Sequence, residues 1–197
     1  MGFFASLASS SLMVGAMLLA PGAIAQSDPS GVWLDSDTNW NSPNAALPPA
    51  PVVEGGGNLP NCLDSVRPAA LYEDALVEAA GWTLTGAAQI FGDTTVVTGM
   101  ANADGMCRPL AYQVFVFTDG TFSGTLSPIP MDARTDGSLI TADLYREGYL
   151  SASFNRYAPE DALCCASRSS VLFYQVERLN DAPVVVPQLP ASTSPNS

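Results

Sequence analysis

The stretch YQVFVFTDGTFSGTLS, residues 112–127, decides the fold class. Two runs rich in aromatic and β-branched residues flank Asp119-Gly120, a dipeptide suited to a two-residue turn whose central residues need positive φ. A turn of that length sets the register. Phe117 faces Phe122, Phe115 faces Gly124 and Gln113 faces Leu126 on one side, while Val116 faces Ser123 and Val114 faces Thr125 on the other. Glycine opposite Phe115 would let the ring lie over bare backbone. The first strand is apolar on both faces, so it belongs at the centre of a sheet, covered on at least one side.

Working outward, further strands are predicted at WTLTGAAQIF (82–91), TTVVTGMA (94–101), SLITADLYR (138–146), YLSASFNRY (149–157) and SVLFYQVER (170–178). Leu150, Ala152 and Phe154 alternate with Ser151, Ser153 and Asn155, the pattern of a half-buried strand, with Glu147-Gly148 as the turn before it. One helix is expected at PAALYEDALVEAA (68–80), opened by Pro68 and followed by Gly81. Its apolar face would be Ala69, Tyr72, Leu76 and Ala79/Ala80, with Glu73, Asp74 and Glu78 in solvent. Strand follows strand with few helices between, so the class is α+β: a meandering antiparallel sheet of about 5–7 strands packed by one N-terminal helix.

The ends of the chain read differently. Residues 1–25, MGFFASLASSSLMVGAMLLAPGAIA, carry no charged side chain, contain the apolar run LMVGAMLLA and end in Ala23-Ile24-Ala25, a signal-peptidase pattern with cleavage after Ala25. The run is about half the ~20 residues a membrane-spanning helix needs, so an exported chain without a membrane span is expected. Residues 26–60, with six prolines after Gln26 and Gly55-Gly56-Gly57, read as a disordered arm. Residues 61–179 form the globular domain, and 180–197 a disordered tail in which Val184–Val186 could add a short edge contact. The net charge of −12, with seven arginines and no lysine or histidine, disfavours nucleic acid and anionic lipid as partners.

Four cysteines, Cys62, Cys107, Cys164 and Cys165, are an even set, and in an exported chain disulfides are their first reading. A metal site would need C-x-x-C spacing or histidine, and neither is present. A bond between Cys164 and Cys165 would close a small ring through one peptide unit, whereas bonded cysteines normally keep their Cα atoms farther apart. The expectation is therefore that Cys62 and Cys107 each take one of the adjacent pair, in either order, contributing about 3 to 5 kcal/mol per bond in the chain-entropy model. A pair bonded to itself would instead be a candidate for redox or switching chemistry.

The segments YQVFVFTDGTFSGTLSPIPMDARTDGSL and YLSASFNRYAPEDALCCASRSSVLFYQVER resemble the LppP/LprE family of small exported lipoprotein domains, over roughly Asp64 to Arg178. The most specific stretch is RYxxxDxLCCxSR, Arg156 to Arg168, after the RTDG turn at Arg134 to Gly137. The resemblance implies an envelope or secreted location and a compact disulfide-bonded domain after a low-complexity tether. It supplies no activity. The first cysteine is Cys62, far from the expected cleavage site, so the resemblance is to a form that is soluble rather than lipid-anchored.

Without histidine or lysine, Ser-His-Asp, Cys-His and Ser-Lys arrangements are excluded. Carboxylate chemistry would fall to Glu160/Asp161 or Asp132/Asp136, though Glu160 and Asp161 also suit the first turn of a short helix. Asp35, Asp37 and Asn39 match the first ligand positions of a calcium loop, but Trp40 and Ala46 replace its glycine and glutamate. A cation held by Asp132, Asp136 or Asp104 is the remaining metal reading. Arg134, Arg156 and Arg168 lie in the most distinctive segments and are either salt-bridge partners or a site for a small anion or partner. The expected function is a non-catalytic, exported interaction domain for an unknown protein or envelope component, with no cofactor. The alternatives are a carboxylate-dependent hydrolase and a small inhibitor acting through the 127–135 loop.

Overall fold

The computed structural model describes residues 1–2, 31–53 and 57–196. The apolar run and cleavage point of the expected leader lie outside these residues. The hairpin forms as β3 (Pro109–Thr118) and β4 (Thr121–Thr125), with Asp119 and Gly120 at φ 51° and 69° in the turn. Phe117 pairs with Phe122 as expected, but the register then slips: Val116 faces Gly124 and Phe115 faces Thr125. Ser123 is the extra residue of a bulge, and its hydroxyl donates to Thr118 Oγ1 at 2.9 Å. Gly124 is therefore not a seat for Phe115. At φ 144°, it lies under the carboxamide of Asn41, whose Cγ would stand 2.5 Å from any Cβ placed there.

Every predicted strand is present. β1 (Thr83–Phe91), β2 (Thr94–Ala103), β3 and β4 form one antiparallel sheet in that order. β5 (Leu139–Arg146), β6 (Tyr149–Arg156), β7 (Arg168–Leu179) and β8 (Ala182–Pro187) form a second, with β9 (Ser192–Pro195) also paired to β7. The described residues thus give nine strands in two sheets, not 5–7 strands in one. The physical reason is that both sheets carry an apolar face. Val96, Met100, Val114 and Val116 pack against Leu150, Phe154, Leu172 and Tyr174 in a shared core. The opposite face of the first sheet, with Trp82, Leu84, Val97, Phe115 and Phe117, is covered by α1 (Tyr72–Ala79) and by Leu47 and Ala50.

The tail reading is corrected. Asn180 and Asp181, at φ 51° and 64°, make a two-residue turn into β8, which buries Val184 and Val185 in the interior. Pro183 and Pro187 fit because β8 pairs on one side only. The arm reading is corrected over 31–53. Leu34 is fully buried between the sheets, Trp33 nearly so, and Trp33 meets Trp40 and Phe154 edge-on with centroids 5.2 and 5.0 Å away. Farther on, Pro48 O accepts the Trp82 indole N–H at 2.8 Å and Ala50 N–H donates to Ala80 O at 2.9 Å. Large aromatic area outweighs the ordering cost of a proline-rich segment.

The helix presents a different face from the one expected. Asp74 and Val77 are buried and Tyr72 is exposed. Asp74, in the first turn, accepts Arg67 through both oxygens at 2.7 and 2.5 Å and the N–H groups of Ala70 and Leu71 at 2.9 and 3.1 Å. A carboxylate that accepts four hydrogen bonds, two of them from a cation, can be buried because these replace the water it gives up.

Two side-chain amides close the seams between the sheets. Gln89, freed by a bulge in β1, donates to Ala142 O and accepts from Leu144 N–H of β5, both at 2.8 Å. Asn41 accepts Thr125 N–H at 2.9 Å and donates to Thr125 O and Val185 O at 3.0 and 3.1 Å, joining β4 to β8. Each amide supplies the donor and acceptor of a peptide unit, so backbone groups at an edge are satisfied without another strand. Among the described residues no helix is long and apolar enough to cross a membrane.

Candidate functional site

β6 points Leu150, Ala152 and Phe154 into the core, and its alternation carries Arg156 to the same side at the sandwich's end. Arg156 is 7% exposed. Its guanidinium meets Asp35 through two bonds, at 3.0 and 2.7 Å, Asp136 Oδ1 at 3.2 Å and Ser170 Oγ at 3.2 Å. Hydrogen bonding to Arg156 holds the Asp35 carboxyl below the usual carboxylate range against the opposing effect of burial. Asp136 Oδ1 also accepts Tyr157 N–H at 2.8 Å. Arg156 thus ties the N-terminal arm and the 127–138 connection to β6.

Beside this clamp two glycines touch. Gly31 and Gly137 have φ 73° and 81°, and a Cβ on Gly137 would fall 2.8 Å from the Gly31 backbone. Their approach shapes a cleft of about 90 Å³ walled by Trp33, Ile129, Pro130 and Met131, with Asp132, Thr135 and Asp136 at its rim. Asp132 accepts Ala111 N–H at 2.6 Å, and Thr135 Oγ1 donates to Asp132 O at 2.8 Å. The two candidate acids share a cleft, and each is already engaged by a backbone N–H.

The three candidate arginines have separate environments. Arg156 is the ion-pair centre, and Arg168 is its cross-strand neighbour on β7 but stands exposed. Arg134 is exposed on the Asp132–Asp136 turn at φ 66°. Asp104 is paired with Arg108 and accepts the Arg108 and Met106 N–H groups at 3.0 and 2.8 Å. Of the calcium-like residues, Asp35 joins the clamp and Asn39 Oδ1 accepts Asn41 N–H at 2.9 Å. Among the described residues no cluster of three or more Asp, Glu, His or Cys side chains could hold a metal ion. The 127–135 loop lies along β3: Tyr112 and Met131 exchange both backbone hydrogen bonds, at 2.8 and 2.7 Å.

The cysteine pairing differs from the expectation. Cys62 bonds Cys107, with Cα atoms 5.3 Å apart, and Cys164 bonds Cys165. Topology explains this. Asn58 N–H donates to Ala103 O at 2.8 Å, which sets the Cys62 turn beside the β2–β3 connection carrying Cys107. Cys164 and Cys165 sit on the β6–β7 connection of the other sheet. The first bond spans 45 residues and contributes about 4 kcal/mol in the chain-entropy model.

The clamp escaped the sequence reading because Asp35 and Arg156 are 121 positions apart. A weak signal was present in Asp136-Gly137, a turn dipeptide whose acid need not face water. No curated protein and no solved structure matches the chain. Residues 92–178, from the turn before β2 almost to the end of β7, match the family model described as LppP/LprE lipoprotein, and the hairpin, the RTDG turn and the cysteine pair all fall within the match.

Proposed function

We propose that the chain is exported and works in the envelope or outside it as a non-catalytic interaction domain for a protein or envelope component. The family match supports the envelope setting. The observation that carries the non-catalytic reading is the Asp35–Arg156–Asp136 clamp: Asp136, one of the two acids lining the cleft, is tied to a buried guanidinium and to Tyr157 N–H and holds the fold together. A carboxylate already committed to a guanidinium and a backbone N–H is not free to pass a proton to a substrate.

Fractionation of the native cell with N-terminal sequencing of the isolated chain tests this reading. A chain beginning at Gln26 in the envelope or extracellular fraction supports export, and a cytosolic chain beginning at Met1 overturns it. The hydrolase reading rests on Asp132 and Asp136 lining one cleft. Turnover of chromogenic glycosides that is lost in Asp132→Asn would favour it over the binding role.

A further inference from the structure

We propose that Cys164–Cys165 is a thiol–disulfide exchange site for a small dithiol or a dithiol protein, whereas Cys62–Cys107 is a structural staple. Three observations carry this. The Cys164–Cys165 bond joins sequence neighbours, so it closes no length of chain and cannot restrict the unfolded state as the Cys62–Cys107 bond does. Both of its cysteines are exposed, whereas Cys62 is 1% exposed. Finally, the surrounding loop is framed without the sulfurs.

That frame spans the whole connection. Asp161 Oδ2 accepts both Ala158 N–H and Ser167 N–H, each at 2.8 Å, drawing the two ends of the loop together. Tyr157 Oη donates to Leu163 O at 3.0 Å, Cys165 N–H to Ala162 O at 2.8 Å, and Asn196 Nδ2 to Ala166 O at 2.7 Å. The loop's hydrogen bonds therefore do not depend on the Cys164–Cys165 bond.

In the exchange, a thiolate of the partner attacks one sulfur of the pair and breaks the Cys164–Cys165 bond, leaving a thiolate on the neighbouring cysteine. The partner's second thiolate then attacks its own sulfur in the mixed disulfide. The partner departs as a disulfide, oxidised by two electrons, and its two protons end on Cys164 and Cys165. Access to the attacking thiolate sets the order in which the two protein disulfides react.

The test is a dithiothreitol titration of the full mature chain, with alkylation, intact mass and peptide mapping. The species carrying two labels, both on Cys164 and Cys165, is expected at a reductant concentration at least about tenfold below that giving four labels. Glutathione disulfide should reverse it. The Cys164→Ser/Cys165→Ser variant should keep the native unfolding midpoint and oxidise no dithiothreitol before Cys62–Cys107 opens. Simultaneous appearance of four labels, a peptide joining Cys62 or Cys107 to the pair, or a lowered midpoint in the double variant would each overturn the proposal.

Discussion

Replacing Asp74 by alanine should damage the fold more than replacing any exposed acid of the same helix. Asp74 is 0% exposed and receives four hydrogen bonds, two from Arg67 and two from the N–H groups of Ala70 and Leu71. Alanine leaves a guanidinium without its counter-charge and two helix-start donors without an acceptor. Breaking a buried pair costs about 3 to 5 kcal/mol. The Arg67 side chain is 20% exposed and can be partly rehydrated, which places the loss near the lower end, about 3 kcal/mol. For a chain of this size that lowers Tm by about 6 to 12 °C.

Glu78→Ala, at an exposed position one turn on, should stay within about 0.5 kcal/mol of wild type. Asp74→Asn keeps an acceptor for the backbone and should fall between them. The hydrogen bond from Arg67 holds the Asp74 carboxyl below its ordinary range. Its contribution is therefore complete above the unfolded value of about 4 and is lost as pH falls through the lower folded value. The gap between wild type and Asp74→Asn should be constant near neutrality and should narrow below about pH 4. Thermal melts by circular dichroism across that range measure it. If Asp74→Ala melts within about 2 °C of Glu78→Ala, the buried-pair account is refuted.

Asn41→Ala should cost about 2 kcal/mol in urea unfolding and speed hydrogen exchange at the Thr125 amide. Because the Asn41 carboxamide covers Gly124, Gly124→Ala should be destabilising alone and less than additive with Asn41→Ala in a double-mutant cycle. Truncation after Leu179 removes Val184 and Val185 from the core and should abolish cooperative unfolding in calorimetry, where removal of a disordered tail would leave it intact. Burial raises the hydroxyl pKa of both Tyr112 and Tyr174, the latter donating to Leu126 O at 2.5 Å. Their contribution is complete below the unfolded value of about 10 and is lost above it, so alkaline difference spectra should show two tyrosines ionising only as the fold opens.

Strand positions were legible because alternation and the Asp119-Gly120 turn are local signals, and the core face of β6 followed directly from Leu150, Ala152 and Phe154. Register past Phe122 was not, because at the Ser123 bulge the backbone meets Asn41, 82 positions earlier, a contact that no local pattern shows. The second sheet, the docked arm and β8 were missed for a related reason. Proline content argues against helix and central strand, but says nothing of a segment that buries tryptophan or pairs on one edge. Asp74 was misplaced because helical spacing shows which residues share a face, not whether a neighbouring arginine can follow a carboxylate inward. The site was least legible, since Arg156 meets Asp35 and Asp136 only through tertiary folding.

The seam amides and the ion-pair clamps give the molecule an order of failure. Gln89 and Asn41 carry no charge, so neither acid nor salt weakens the joints between the sheets, whereas Arg67–Asp74 and Arg156–Asp35 depend on ionised carboxylates. In an acid surrounding the helix start and the Asp35 end of the arm would loosen first, while the Asn41 and Gln89 joints between the sheets held. Acid would then reach the molecule through two charged fastenings before it touched the uncharged ones.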